Sequence, residues 1–535
     1  MRLLETTSKQ TLGRSLLGLR RMFIPFHGRV YKICTKHQHR FHKRGSSSVA
    51  IQDEINVNYQ RKMVTIDFMG LKKSSFHASW LWSNDPAFCH ETSGQRLKSL
   101  SQFNPNVHEI VSAHITQNIP DKVDYPPSPR GSLHPRGGIY KVSDRNQRGY
   151  MLQIGWKSGE KSYYDLDWLS RFAIDHVDLK DNHPTSKVTK RLAIGAIDNP
   201  NCVTIPTFDY HQVMKNERNS LFQTLHMIMK HGAVLVQNAP PGANESTVAD
   251  LGKLISGSGK LSHGSLYGDV FHVKAVSDPN NIAFTSVALP PHQDLVYCES
   301  KPFLQLLHCA QNALVDDRPG KRGESTLIDA MAAVEELRQL SPKLFQTLLD
   351  IEATFCKQRQ GADMVSAKPH IVTSPYDQSV VAVNWAPPFE GPLQLPISKV
   401  KNPNKEENSQ EQLMDDYFLA YQAMECILNK HSLSTNSVLP KTLEKQLQSY
   451  AKKYTWEYAL RDGEILVFNN QRMLHGRRSF SMSGGMRKER HLIGCYTDAM
   501  DTISHYRILL RQQKPMKEQD CLPNTGNGTR SVLLQ

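Results

Sequence analysis

The short apolar runs of this chain do not alternate regularly with helices, and this constrains its fold more than any other feature. "AVLVQN" and "GEILVFNN" read as buried strands, and "HLIGCY" as a third. Between them lie a few amphipathic helices. "NSLFQTLHMIMKHG" puts Leu221, Leu225, Ile228 and Met229 on one face and stops at Gly232. "DAMAAVEELRQL" does the same with Met331, Val334, Leu337 and Leu340, and Ser341-Pro342 opens another helix. "EQLMDDYFLAYQAMECILNK" aligns Leu413, Tyr417, Ala420, Met424 and Ile427, after a charged loop over 401–411. A doubly wound sheet needs β and α in strict turn. This order fits a closed or sandwiched β core with helical support.

The strand pattern predicts a larger domain over 190–510. A small β-rich module over 55–180 precedes it, from "GGIYKV", "YMLQIGW" and "KSYYDL". The polar linker "KDNHPTSK" separates the two, and 511–535 reads as a polar tail. Charge bears on what the chain binds. The net charge is +14, but eleven Lys and Arg against Glu5 alone place +10 of it in residues 1–50. The remainder is mildly basic and shows no aromatic-basic interleaving, which argues against nucleic acid. "TLGRSLLGLRR" would align Leu12, Leu16 and Leu19 opposite Arg14 and Arg21, the composition of a mitochondrial transit peptide. A basic tail on a cytoplasmic protein is the alternative. His37, His39 and His42 fall in the same segment. No apolar run is long enough to span a membrane. The nine cysteines show no C-x-x-C pair, which suits a reducing compartment.

The chemistry centres on "LPPHQDLVY". His-x-Asp occurs twice, at His176 and His292, and composition alone supplies about one. His176 lies at the linker and reads as a solvated pair with Asp178. In a strand, His292 and Asp294 would project from one face. "DGEILVFNNQRMLHGRRSF" offers a third donor, His475, at the end of an apolar strand. Two imidazoles and one carboxylate leave three metal positions open, the facial arrangement of non-haem iron(II) oxygenases. A chelating 2-oxo acid then needs an arginine for its far carboxylate. Arg490 enters the strand "HLIGCY" and is the candidate, whereas Arg477, Arg478 and Arg487 read as solvated.

These blocks, together with "HQDLVYCESKPFLQLLHC", resemble the γ-butyrobetaine and trimethyllysine dioxygenases, a branch of the taurine-dioxygenase-like Fe(II)/2-oxoglutarate oxygenases. The resemblance covers most of 60–510. It implies a double-stranded β-helix (jelly roll) behind a small β-rich N-terminal module. It implies iron on His292, Asp294 and His475, with the 2-oxoglutarate carboxylate on Arg490 and near Ser325. It further implies an aromatic cage for a trimethylammonium group from Tyr267, Phe271, Phe284 and Tyr496. Asn281 would contact the substrate carboxylate. Ascorbate would be a supporting reductant, and a homodimer is a possible assembly. Two departures stand out. In "WLWSNDPAFCH" the family's zinc cysteines are replaced by Asp85 and Ala87, leaving Cys89 and His90, so no N-terminal zinc is expected. Asn384-Trp385-Ala386 stands where the butyrobetaine branch tends to have Asn-Phe-Asn.

The resulting expectation is a hydroxylase of a trimethylammonium amino acid, γ-butyrobetaine ahead of trimethyllysine. A catalytically silent jelly-roll binding module is the competitor from another class.

Overall fold

The computed structural model describes residues 56–67, 74–88, 97–116, 151–166, 169, 204–262, 268–274, 282–312, 322–359, 362–394, 410–431, 437–480, 490–513 and 524–530. The basic segment 1–50, Cys89, His90, His176, Asp178, Tyr267, Asn281 and Arg487 lie outside the described residues.

Strands β1 (Asn56–Gln60), β2 (Met63–Asp67) and β3 (Ser74–His77) form one antiparallel sheet. Strands β4 (Ile110–Thr116), β5 (Met151–Trp156) and β6 (Lys161–Asp165) form another. Between β5 and β6, Trp156 Nε1 donates to Ser162 Oγ at 2.7 Å, and that hydroxyl donates to Asp85. Asp85 is buried, so at this position the carboxylate serves as a structural acceptor.

The remaining strands, in chain order, are β7 (Thr207–Asp209), β8 (Ala233–Gln237), β9 (Val270–Lys274), β10 (Leu289–His292), β11 (Leu304–Asn312), β12 (Ser325–Asp329), β13 (Glu352–Arg359), β14 (Ala362–Pro369), β15 (Ile371–Thr373), β16 (Val380–Val383), β17 (Trp456–Tyr458), β18 (Ile465–Asn469), β19 (Met473–Arg477) and β20 (Arg490–Thr497). Six of them make a major sheet in the order β7-β8-β18-β11-β20-β9. Four make a minor sheet, β10-β19-β12-β17. The inner faces of the two sheets share one core. Leu235, Leu307, Leu466, Phe468 and Leu492 of the major sheet pack with Leu327, Trp456 and Met473 of the minor one. The result is a jelly-roll sandwich.

Side-chain alternation explains why the strands read as unbroken apolar runs. In β18, Leu466 and Phe468 point inward, while Ile465 and Val467 point outward and pack with residues of the helices Ser220–His231 and Glu245–Ser256. The outer face of the minor sheet is covered likewise. Ile328 and Leu474 pack with residues of Ala330–Leu340, Pro342–Asp350, Gln410–Leu428 and Lys441–Tyr454. Burying each large aliphatic or aromatic side chain is worth about 1.5–3 kcal/mol, so both faces need a cover. The four sequence-predicted helices form. The fourth begins at Gln410 and so takes in the last two residues of the charged stretch.

Within the C-terminal stretch, residues 524–530 lie against β16 and the turn between β18 and β19. Asn524 Nδ2 donates to Val380 O at 2.9 Å, Gly528 N to Val381 O at 3.0 Å, and Asn469 Nδ2 to Thr525 O at 2.8 Å. Among the described residues, no helix is long and apolar enough to cross a membrane.

Candidate active site

The minor sheet sets the two imidazoles. β10 pairs antiparallel with β19, and His292 lies directly opposite His475. Cross-strand partners share a face, so both rings turn inward, 4.3 Å apart at their centroids. Asp294 arrives differently from the strand alternation expected. β10 ends at His292, and the chain turns through Leu295 at φ 56°. Asp294 is fixed from outside the strand: its N–H donates to Asn470 Oδ1 at 2.9 Å, and Asn470 Nδ2 returns a bond to Asp294 O at 3.0 Å. Between the ligands, Gln293 exchanges bonds with Trp385 N and O, and its Nε2 donates to Gln471 O.

One donor atom from each of His292, Asp294 and His475 lies within 4.8 Å of the others. The donor set suits a divalent cation. His292 Nδ1 sits 2.9 Å from Pro290 O, a pure acceptor, so this nitrogen carries the proton and Nε2 presents its lone pair. Nε2 lies 3.3 Å from Asp294 Oδ1. The other carboxylate oxygen, Oδ2, accepts from Gln305 Nε2 and Tyr496 Oη, both at 2.8 Å. Burial pushes the Asp294 pKa up. The flanking His475 and His292 and the Tyr496 hydroxyl outweigh it and hold the carboxyl well below its usual range. Burial, aided by His292, pulls His475 down to about 3. An ionised carboxylate and a neutral imidazole are the forms that ligate metal. His475 Nδ1 is buried without a hydrogen-bond partner.

The major sheet supplies the rest of the cleft. Gln305 on β11 lies opposite Tyr496 on β20, which is why both reach one carboxylate oxygen. Arg490, at the start of β20, is buried and lines the cleft with Ser325 of β12. Burial lowers its pKa to about 10, and among the described residues no carboxylate pairs with it. The aromatic wall comes from β9, the 3-10 turn Ile282–Phe284, and β20. Phe271 stacks on Tyr496 with centroids 5.0 Å apart and planes at 26°. Its ring fills the space that a side chain on Gly494, its cross-strand partner, would take. Phe284 lines the same cleft.

Two cleft residues, Gln305 and Phe389, escaped the sequence reading, and a third, Arg477, was misread. Arg477 is not solvated. It is buried, and its two Nη atoms hold Ala283 O, Thr285 O and Val287 O at 2.6–2.9 Å. Its guanidinium thereby fastens the segment that carries Phe284. The signal was present: two residues past an inward His475 on a strand, Arg477 must face inward too. Arg478 faces the other way, 3.4 Å from Glu457 Oε1. Gln305 was visible as a polar residue in the apolar "FLQLLHC". Phe389 had no such signal. It sits in a 3-10 turn, Pro387–Phe389, and lines the cleft beside His292. Asn384, at the divergent Asn-Trp-Ala, spends both ends of its amide on Lys301 Nζ and Pro369 O, and Trp385 and Ala386 are buried.

Several known proteins are similar to this chain in sequence. The family described as taurine catabolism dioxygenase TauD, TfdA family matches residues 190–496, more than half of the chain. "Dioxygenase str8" of Strobilurus tenacellus is 26% identical over 368 residues, covering 68% of this chain and 75% of that protein. Gamma-butyrobetaine dioxygenase of Pseudomonas sp. (strain AK-1) is 26% identical over 362 residues, 67% and 79% of the two chains. Mitochondrial trimethyllysine dioxygenase of Mus musculus is 23% identical over 368 residues, 67% and 72%. With the family's model spanning both sheets and every cleft element described above, this chain belongs to the TauD/TfdA dioxygenase family.

Proposed function

We propose that this dioxygenase uses Fe(II) and 2-oxoglutarate to hydroxylate a trimethylammonium amino acid, γ-butyrobetaine to L-carnitine ahead of trimethyllysine. The observation that carries the reading is one cleft with three features. It holds a two-histidine, one-carboxylate cluster, a buried guanidinium with no acid beside it among the described residues, and an aromatic wall. The relatives named for γ-butyrobetaine and trimethyllysine supply the substrate class.

His292, Asp294 and His475 would hold the ferrous ion. A ferrous ion held there supplies redox chemistry that couples decarboxylation of 2-oxoglutarate to succinate with insertion of one dioxygen atom into a C–H bond. The chain's own residues do the rest. Arg490 would clamp the far carboxylate of 2-oxoglutarate with a charge-assisted pair, with Ser325 beside it. Gln305 and Tyr496 hold Asp294 Oδ2, which leaves Oδ1 as the ligand oxygen. Phe271, Phe284 and Tyr496 would face the quaternary ammonium, which donates no hydrogen bond and is drawn to ring faces. Tyr267 would complete the cage and Asn281 would meet the substrate carboxylate. Gripping the substrate at two ends selects the carbon presented for oxidation.

Only the substrate half of the proposal depends on the cage. A screen of trimethylammonium and other carboxylic acids, scored by succinate release from iron-loaded protein, tests it. Stimulation by γ-butyrobetaine above all others supports the reading. Stimulation by trimethyllysine alone moves the chain to the other branch. An iron-loaded protein that consumes no 2-oxoglutarate under any condition would be the silent binding module. Residues 1–50 would direct the protein to mitochondria. A tagged full-length chain retained in the cytosol counts against that.

A further inference from the structure

We infer that residues 524–530 form a strap that positions the metal-binding His-x-Asp segment from behind. This rests on the reading of His292, Asp294 and His475 as metal ligands. The strap itself touches no ligand; it touches the two elements that hold the middle of the segment.

The first element is the turn between β18 and β19, residues 469–472. Its inner side fixes Asp294 and Gln293. Asn470 exchanges two bonds with the Asp294 backbone, and Gln471 O accepts from Gln293 Nε2 at 2.9 Å. Gln471 Nε2 also donates to Lys301 O at 2.7 Å. The shape of this turn depends on Asn469, whose Oδ1 accepts from Gln471 N at 2.9 Å and Arg472 N at 3.2 Å. The other end of the same amide, Nδ2, donates to Thr525 O of the strap at 2.8 Å. One side chain therefore shapes the turn with its oxygen and ties the strap with its nitrogen.

The second element is β16 and the residues after it. Asn384 Oδ1 and Val383 O both accept from Lys301 Nζ, which also reaches Gln293 Oε1 at 3.3 Å. Trp385 O accepts from Gln293 N at 2.9 Å, and Trp385 N donates to Gln293 Oε1 at 3.2 Å. The strap holds the near end of this strand through Asn524 Nδ2 to Val380 O and Ser379 Oγ, and through Gly528 N to Val381 O. It thus crosses from one wall of the Gln293 cradle to the other.

Contact at the crossing is close. Gly526 has φ 90°, and a Cβ there would stand on the carbonyl of Gln471, the acceptor of Gln293 Nε2. Any side chain at 526 must push that carbonyl or lift the strap. Groups that orient metal ligands from outside typically shift metal affinity by roughly 10–100-fold when lost.

The test uses Co(II) alone as probe, read by its visible absorption during titration of the full chain. Asn469→Asp keeps the oxygen that shapes the turn but replaces the donor to Thr525 with an acceptor. Gly526→Ala adds only the obstructing methyl. A third variant ends at Gln513. The strap assignment predicts Co(II) affinity lower by roughly ten-fold or more in each, with altered Co(II) bands. A peptide of residues 520–535 added to the shortened chain should restore both. If the shortened chain does not fold, the two point variants decide. Unchanged Co(II) affinity in both folded point variants, whatever happens to Tm, overturns the strap. Absence of Co(II) binding in the unaltered protein would instead overturn the ligand assignment itself.

Discussion

The two walls of the cleft are built in different ways. The metal-facing wall is a web of hydrogen bonds between strands and turns. His292 and His475 are locked in register, the Asp294 backbone is held by Asn470, and its Oδ2 by Gln305 and Tyr496. The aromatic wall is a set of rings on three supports: the paired strands β9 and β20, and the 3-10 turns at 282–284 and 387–389. Arg477 fastens one of the two turns, its guanidinium holding three carbonyls of 283–287. A metal site tolerates little displacement; of the candidate donors, His292 and His475 sit on paired strands and Asp294 sits on a turn pinned by Asn470. Asn384 and Trp385 bond into the web around Gln293, and the ring of the following turn, Phe389, lines the cleft.

The largest effect should come from the metal wall. Asp294→Ala should abolish succinate release, because no other carboxylate lines the cleft among the described residues. His176→Ala, at the second His-x-Asp, should keep near-normal turnover. Comparable losses in the two variants would break the distinction between the motifs.

Next comes the anion pocket. Arg490→Ala should raise the 2-oxoglutarate concentration for half-maximal rate by roughly 10–100-fold, from about 1.5–3 kcal/mol for a charge-assisted pair. Co(II) affinity should stay close to that of the unaltered protein. An unchanged 2-oxoglutarate dependence would move the clamp to another residue.

Tyr496 belongs to both walls, so two substitutions can separate its roles. Tyr496→Phe keeps the ring and removes the bond to Asp294 Oδ2; metal affinity should fall while the preference for a trimethylammonium substrate persists. Tyr496→Leu also removes the ring face, and should weaken the trimethylammonium compound more than its uncharged carbon isostere, by about 0.5–2 kcal/mol. Equal losses for the two compounds would leave the aromatics as plain core.

The smallest effect should follow Arg477→Lys. Lysine keeps the charge but cannot hold three carbonyls with a planar fork. The substrate KM should rise several-fold, because lysine keeps only part of these charge-assisted bonds, with little change in 2-oxoglutarate dependence. A matched rise in both would mean that Arg477 serves the anion pocket rather than the Phe284 segment.

The chain's letters alone carried the sandwich, because strands covered on both faces must be apolar throughout, as in "ILVF" and "LIGCY". They also carried His292, Asp294, His475 and Arg490 as candidates, since each is a polar exception beside such a run. They could not say why Asp294 faces inward. That depends on Asn470, 176 residues away, and not on strand alternation. Alternation from His475 already separates Arg477 from Arg478, and the pairing of β19 with both β10 and β12 is what buries Arg477. Phe389 and the strap at 524–530 were wholly beyond reach. A turn residue has no period to reveal its direction, and a short polar segment gains its place only from the carbonyls and amides that the folded turn and β16 leave for it. Sequence determines which residues are able to ligate, clamp or cage. Long-range pairing decides which of them meet, because contact between distant segments is set by register and turn geometry rather than by local preference.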